Sequence, residues 1–203
     1  MKRYWHILVM LFALVLVTHW KAQSEVNIGR PAPDFSLSDT QGKNYSLSQY
    51  KGKFVVLEWF NFDCPFVGKH YNSGNMQNLQ KIYRDKDVIW LSINSSAAEK
   101  EGFYPADEIN RIALEKGMSS TAILLDPQGK VGKLYGAKTT PHMFVINPEG
   151  ELIYQGAIDD KPSVDPADIA LAQNYVQAAL DAAMAGESVV VPSTKSYGCS
   201  VKY

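Results

Sequence analysis

Outside its first 24 residues the chain has two cysteines and two histidines, Cys64, Cys199, His70 and His142, the side chains best suited to redox or soft-metal chemistry. Cys64 sits between an apolar run (Phe54 to Leu57, continued by Trp59 and Phe60) and Pro65. Such a run reads as a buried strand, and proline suits the first turn of a helix because its missing N–H would be unpaired there anyway. A thiol at that junction faces the N–H groups of a helix start, which favour negative charge and therefore the nucleophilic thiolate. The adjacent Asp63 carboxylate opposes this if it points the same way. Cys64 is the candidate nucleophile.

Cys199 follows 135 positions later, on a polar, proline-containing tail. Three readings stand beside one another. It is a resolving thiol that attacks a mixed disulfide or sulfenic acid formed on Cys64. It is half of a structural staple, which for so long a loop contributes up to about 4–5 kcal/mol in the chain-entropy model. Or it pairs between molecules. His142, just after Thr139-Thr140-Pro141, is a candidate acid, base or ligand near Cys64. His70, six residues past Cys64, falls about 240° around a helix from it and reads as a surface residue. Asp159-Asp160 reads as a solvated loop, and Trp59, Phe60, Phe62 and Phe66 as core and groove lining. The sequence shows no phosphate loop, paired-cysteine zinc pattern or Ser/His/Asp arrangement, and no cofactor is called for. A net charge of −1 gives no reason to expect nucleic acid or an anionic membrane as partner.

The elements that must position these residues follow from periodicity and punctuation. Ser36-Leu37-Ser38 alternates like an edge strand and returns over Asn44 to Leu47 after the turn Asp39 to Lys43. The central strand Phe54 to Phe60 leads into a helix after Cys64 that runs to about Arg84, with a break near Asn72 to Asn75 where Gly74 interrupts it. Val88 to Ile93 is a second continuous apolar strand, of the kind buried in a parallel sheet. A helix over Ala106 to Lys116 ends at Gly117. A short strand Ala122 to Leu125 and a short helix Val131 to Tyr135 come next. Met143 to Ile146 and Glu151 to Gln155 flank a Pro/Gly turn and form a hairpin. Pro166 to Ala185 reads as one long helix stopped by Gly186. Strand–helix–strand connections require right-handed crossovers and parallel pairing. The fold class is α/β, with a mixed central sheet.

Lys2 and Arg3, the eleven-residue apolar run Ile7 to Val17 and the small residues Ala22-Gln23-Ser24 have the layout of a secretory signal peptide. The run is short for a membrane span, which needs about 20 apolar residues. This divides the chain into a signal at 1–24, one domain at 25–186 and a tail at 187–203. The mature protein is then exported, periplasmic or secreted, without stable membrane insertion. An even cysteine count in an oxidising compartment permits pairing.

PAPDFSL near the start, SLSQYKGKFVVLEWF before Cys64, ILLDPQGKVGKLYG and TTPHMFVINPEGELIYQG together resemble the thioredoxin superfamily over about Ile28 to Ala185. Within it, the chain resembles the redoxin branch and its peroxiredoxin-like group, which ends in a Gly-Cys-Ser tail, here Gly198-Cys199-Ser200. The resemblance implies a thioredoxin-like three-layer α/β/α sandwich with an N-terminal β-hairpin extension. It makes Pro141 the cis-proline facing the active cysteine, and Thr140, Pro141, His142, Pro65 and Phe66 the lining of a substrate groove. Two departures matter. Cys64 falls on the first cysteine of a thioredoxin Cys-x-x-Cys, with Val67 in place of the second. At the positions of the peroxiredoxin Pro-x-x-x-Thr-x-x-Cys pattern stand Phe60, Cys64 and Val67, so the peroxide-activating residues are missing.

The function this implies is an exported thiol–disulfide oxidoreductase or antioxidant protein, with Cys64 attacking and Cys199 resolving. Its partners are protein thiols and disulfides or a peroxide, and its reductant a thioredoxin-like donor. Two alternatives are a copper-binding redoxin-fold protein using Cys64, His142 and Cys199, and a non-catalytic binding module.

Overall fold

The structure is a computed structural model and describes residues 26–203. The signal segment expected at 1–24 lies outside the described residues.

The apolar strand before Cys64 becomes β3, Val55–Trp59, buried along its whole length. It lies in a seven-stranded sheet in the order β2-β1-β5-β4-β3-β7-β8. The strands are β1 (Ser36–Asp39), β2 (Asn44–Ser46), β4 (Ile89–Asn94), β5 (Ala122–Leu125), β7 (His142–Ile146) and β8 (Leu152–Gly156). Parallel pairing joins β3, β4 and β5. The hairpin β7–β8 adds to β3 antiparallel, and β1 adds to β5 antiparallel. The N-terminal hairpin thus extends the sheet, but its edge strand is β2; β1 lies between β2 and β5.

Side-chain alternation along β3 divides the core into two layers. Val56 and Phe60 face one layer with Cys64, Trp90, Met143 and Val145. Val55, Leu57 and Trp59 face the other with Leu91, Ile93, Phe144 and Ile146. The first layer is closed by α1 (Pro65–Asn72), α2 (Asn75–Arg84) and α5 (Tyr175–Met184), the second by α4 (Lys130–Tyr135) and the N-terminal segment around Phe35 and Leu47. Helices on both faces of a mixed sheet give the thioredoxin-like sandwich. A further helix, α3, spans Ala106–Glu115.

The break expected after Asn72 is present: Gly74, at φ 79°, starts α2 from a left-handed conformation that glycine adopts without steric cost. The long helix expected over 166–185 is instead two pieces, a 3-10 segment Pro166–Leu171 and α5. Between them, Asn174 bridges to Asp159 and Tyr175 N–H donates to the Ile158 carbonyl at 2.9 Å, which holds the chain extended. Asn174 then caps α5 by accepting from Gln177 N–H.

The polar tail is pinned to the domain. Thr194 N–H donates to the Gln155 carbonyl, Val201 N–H donates to Lys138, and Ala97 N–H donates to Lys202. Cys199–Ser200 forms β9, paired antiparallel with β6 (Thr139–Thr140).

Candidate active site

Cys64 occupies the N-cap of α1 in an extended conformation, with Pro65 at the first helical position. Its carbonyl accepts from Gly68 N–H at 2.8 Å, and its own N–H donates to Asn61. The turn that delivers it is tied down on both sides. Asn61 Oδ1 accepts from Asp63 N–H at 2.9 Å. The Asp63 carboxylate accepts from Gly102 N–H at 2.9 Å and from the Tyr104 hydroxyl at 2.6 Å. Asp63 is therefore engaged with the loop at 102–104, and its hydrogen bond raises the Tyr104 hydroxyl to about 12. Gly102 is required there: at φ 79°, a Cβ would stand 2.1 Å from Asn61 Oδ1.

The Cys64 side chain is fully buried. Its thiol donates to the Thr140 carbonyl at 3.0 Å, and the Thr140–Pro141 peptide bond is cis. Thr140 is also the residue paired with Cys199 across β6 and β9. The register places Cys199 beside Cys64, and both are free thiols. Burial first, and then the neighbouring Cys64, push the Cys199 thiol up to about 12. Thr140 Oγ1 is buried beside them without a hydrogen-bond partner among the described residues.

The groove residues divide. Pro65 begins α1, and Phe66 packs edge-on against Tyr197 of the tail, their ring centroids 5.8 Å apart. His142 follows Pro141 but belongs to the opposite layer, because strand alternation puts it on the Phe144 face. Its ring lies 4.6 Å from that of Phe144, and its Nδ1 accepts from Lys138 N–H at 3.2 Å. Its ring proton is therefore on Nε2, and burial depresses the imidazole to about 4.

His70 is not a surface residue. It is fully buried, together with Lys69, under the tail and the loop carrying Asp159. Lys69 Nζ donates to the Lys161 carbonyl at 2.9 Å and lies 3.7 Å from Asp159 Oδ2. Tyr197 gives its hydroxyl hydrogen to Asp159, so it accepts from His70 Nε2–H, while Nδ1 accepts from Asn75. The Asp159 side chain, read as solvated, is thus a buried hub between α1 and the tail. Desolvation holds His70 near 4 against the pull of Asp159.

Glu58 was not singled out from the sequence, although a carboxylate inside VVLEWF was a signal. On β3 it faces the Cys64 layer and accepts from Tyr71 Oη, Gln80 Nε2, Trp90 Nε1 and Ser92 Oγ. Burial pushes its carboxyl above the ordinary value against those four donors. Among the described residues no group of three His, Cys, Asp or Glu side chains is placed to hold a metal ion. The copper set of Cys64, His142 and Cys199 is not assembled.

A family model for AhpC/TSA matches residues 28–155. The protein named thiol-disulfide oxidoreductase ResA of Geobacillus thermodenitrificans (strain NG80-2) is 28% identical over 149 residues, which span 72% of this chain and 80% of that one. The crystal structure of an uncharacterized conserved protein from Geobacillus kaustophilus matches with TM-score 0.74 at 27% identity, covering 89% of this chain and 94% of that one. That of a hypothetical protein from Sinorhizobium meliloti 1021 matches with TM-score 0.74 at 25% identity, covering 88% and 96%. The family's region contains the sheet strands from β1 to β8, the cis-proline turn and Cys64, and on that match the chain belongs to the AhpC/TSA family, a redoxin with the thioredoxin fold.

Proposed function

We propose that this protein is an exported thiol–disulfide oxidoreductase in which Cys64 attacks and Cys199 resolves. The observation that carries the reading is the register of β6 against β9, which seats Cys199 beside Cys64 at the cis-proline turn. Relatives named thiol-disulfide oxidoreductase support it. The signal-like layout of residues 1–24 supports export to the periplasm or the medium.

The cycle balances with two cysteines. The Cys64 thiolate attacks one sulfur of a substrate disulfide; that S–S bond breaks, and the other sulfur leaves as a thiolate that takes up a proton. Cys64 is then in a mixed disulfide and is no longer a thiol beside Cys199. The raising effect of that neighbour is gone, so the Cys199 thiolate becomes accessible at lower pH. It attacks the Cys64 sulfur, displaces the second substrate thiol and forms the Cys64–Cys199 disulfide. Two electrons have passed from the protein dithiol to the substrate, and an external dithiol donor of thioredoxin type restores the pair. Peroxide is the less favoured oxidant, because Val67 and Phe60 occupy positions where peroxide activation needs other residues, and Val67 is buried.

The test is dithiol-driven reduction of a peptide disulfide by the wild type and by Cys64→Ser. The variant is expected to lose turnover; full activity would overturn the assignment of Cys64.

A further inference from the structure

The edge of β6 that a redoxin would offer to a partner is already taken. Residues 198–200 lie along Thr139–Thr140, and the Cys64 thiol beneath them has no solvent exposure. The tail's fit is close. Gly198 sits at φ 130°, and a Cβ there would stand 2.1 Å from the Thr140 carbonyl oxygen, so only glycine lets the tail approach this near.

Two aromatic anchors flank this segment. On one side, Tyr197 packs on Phe66 and donates to the buried Asp159. On the other, the Tyr203 ring lies against Gly129 and Gly132 at the start of α4, where a Cβ would fall 2.3 and 2.4 Å from its atoms. Its hydroxyl donates to the Ala137 carbonyl at 2.8 Å. Both glycines leave room for the ring. β9 itself is only two residues long and half-exposed.

We propose that residues 197–203 are a strap that occupies the substrate's own strand position. In the resting, reduced protein the strap closes Cys64. An extended, cysteine-bearing segment of a protein substrate reaches the thiol only by replacing residues 198–200 on Thr139–Thr140. Strand addition supplies backbone hydrogen bonds to whichever segment pairs with that edge, so tail and substrate compete for the same donors and acceptors. The strap returns after the mixed disulfide forms, bringing Cys199 to the Cys64 sulfur. This inference rests on the proposed thiol–disulfide chemistry for its purpose, but its test does not use that chemistry.

The test is the rate of iodoacetamide alkylation in a Cys199→Ser background, where Cys64 is the one thiol left. Two full-length variants loosen the strap at different points: Tyr203→Ala at the outer anchor and Gly198→Val at the close approach. Circular dichroism and thermal unfolding check that each is folded. Each folded variant is expected to alkylate at least tenfold faster than Cys199→Ser alone. Excess octapeptide of residues 196–203 carrying serine at 199 should slow alkylation again. Unchanged rates in the folded variants would overturn the proposal, and so would a faster rate that the peptide leaves unaffected. Because no disulfide substrate is present, loss of turnover in Cys64→Ser neither supports nor harms this result.

Discussion

Cys199 stands opposite Thr140 in a two-residue antiparallel pairing, while the Thr140 carbonyl oxygen accepts the Cys64 thiol at 3.0 Å. One backbone unit therefore positions both sulfurs, and the consequences can be measured on each.

Burial first, and then the proximity of Cys64, raise the Cys199 thiol, so removing Cys64 should lower its pKa. In Cys64→Ala the neighbouring thiol disappears while most of the burial remains. The thiolate absorbance of Cys199 is expected to titrate below about 12 yet still above an ordinary thiol near 8.5. An unchanged midpoint would mean that burial alone sets it.

His70 and His142 are both held near 4, below their unfolded value of about 6.5. Between those values the unfolded chain binds more protons, so stability falls as pH drops from about 6.5 to 4. Urea unfolding across that window should show the loss, at most about 3 kcal/mol per histidine. His142→Gln should remove part of the slope without exposing Cys64, since its ring lies in the opposite layer.

Glu58 joins β3 to α1, α2 and β4 through four donors. Glu58→Leu leaves Tyr71, Trp90 and Ser92 without an acceptor, while Gln80 keeps its bond to the Tyr71 hydroxyl. At about 1–3 kcal/mol for each unsatisfied buried group, the variant should lose more than about 3 kcal/mol in equilibrium unfolding. Glu58→Gln keeps one acceptor oxygen and should lose less.

The buried pair of Lys69 and Asp159 predicts a non-additive pattern. Asp159→Asn leaves the Lys69 ammonium uncompensated, at about 3–5 kcal/mol, and also removes the charged acceptor of Tyr197. Adding Lys69→Met to that variant should restore part of the loss. A double-mutant cycle by thermal unfolding measures the coupling, and simple additivity would contradict the ion pair.

The sheet and its order of helices were legible because they are written locally. The run before Cys64, the glycine at position 74 and the Pro/Gly turn before Glu151 each mark an element within a few residues. The placement of Cys64 at a helix start followed from the apolar run before it and Pro65 after it. What lay beyond reach depended on distant segments meeting. A two-residue strand such as Cys199–Ser200 has no periodicity to read, and its partner is in another part of the chain. His70 was misread for the same reason: a helix angle says where a side chain points, not that a tail and the Asp159 loop will cover it. The Pro166 to Ala185 helix was overextended because its apolar spacing is helical on both sides of Ala172–Asn174, while pairing with the 158–160 segment holds the chain extended between them.

The central claim is that Cys64 and Cys199 form one dithiol pair that cycles through Cys64. The most direct measurement is mass mapping of the reduced protein after reaction with one equivalent of a peptide disulfide. The wild type should yield an intramolecular Cys64–Cys199 disulfide and two equivalents of free peptide thiol. Cys199→Ser should stop at a mixed disulfide on Cys64 and release only one. Peptide found on Cys199 in the wild type, or an intermolecular disulfide as the main product, would contradict the account.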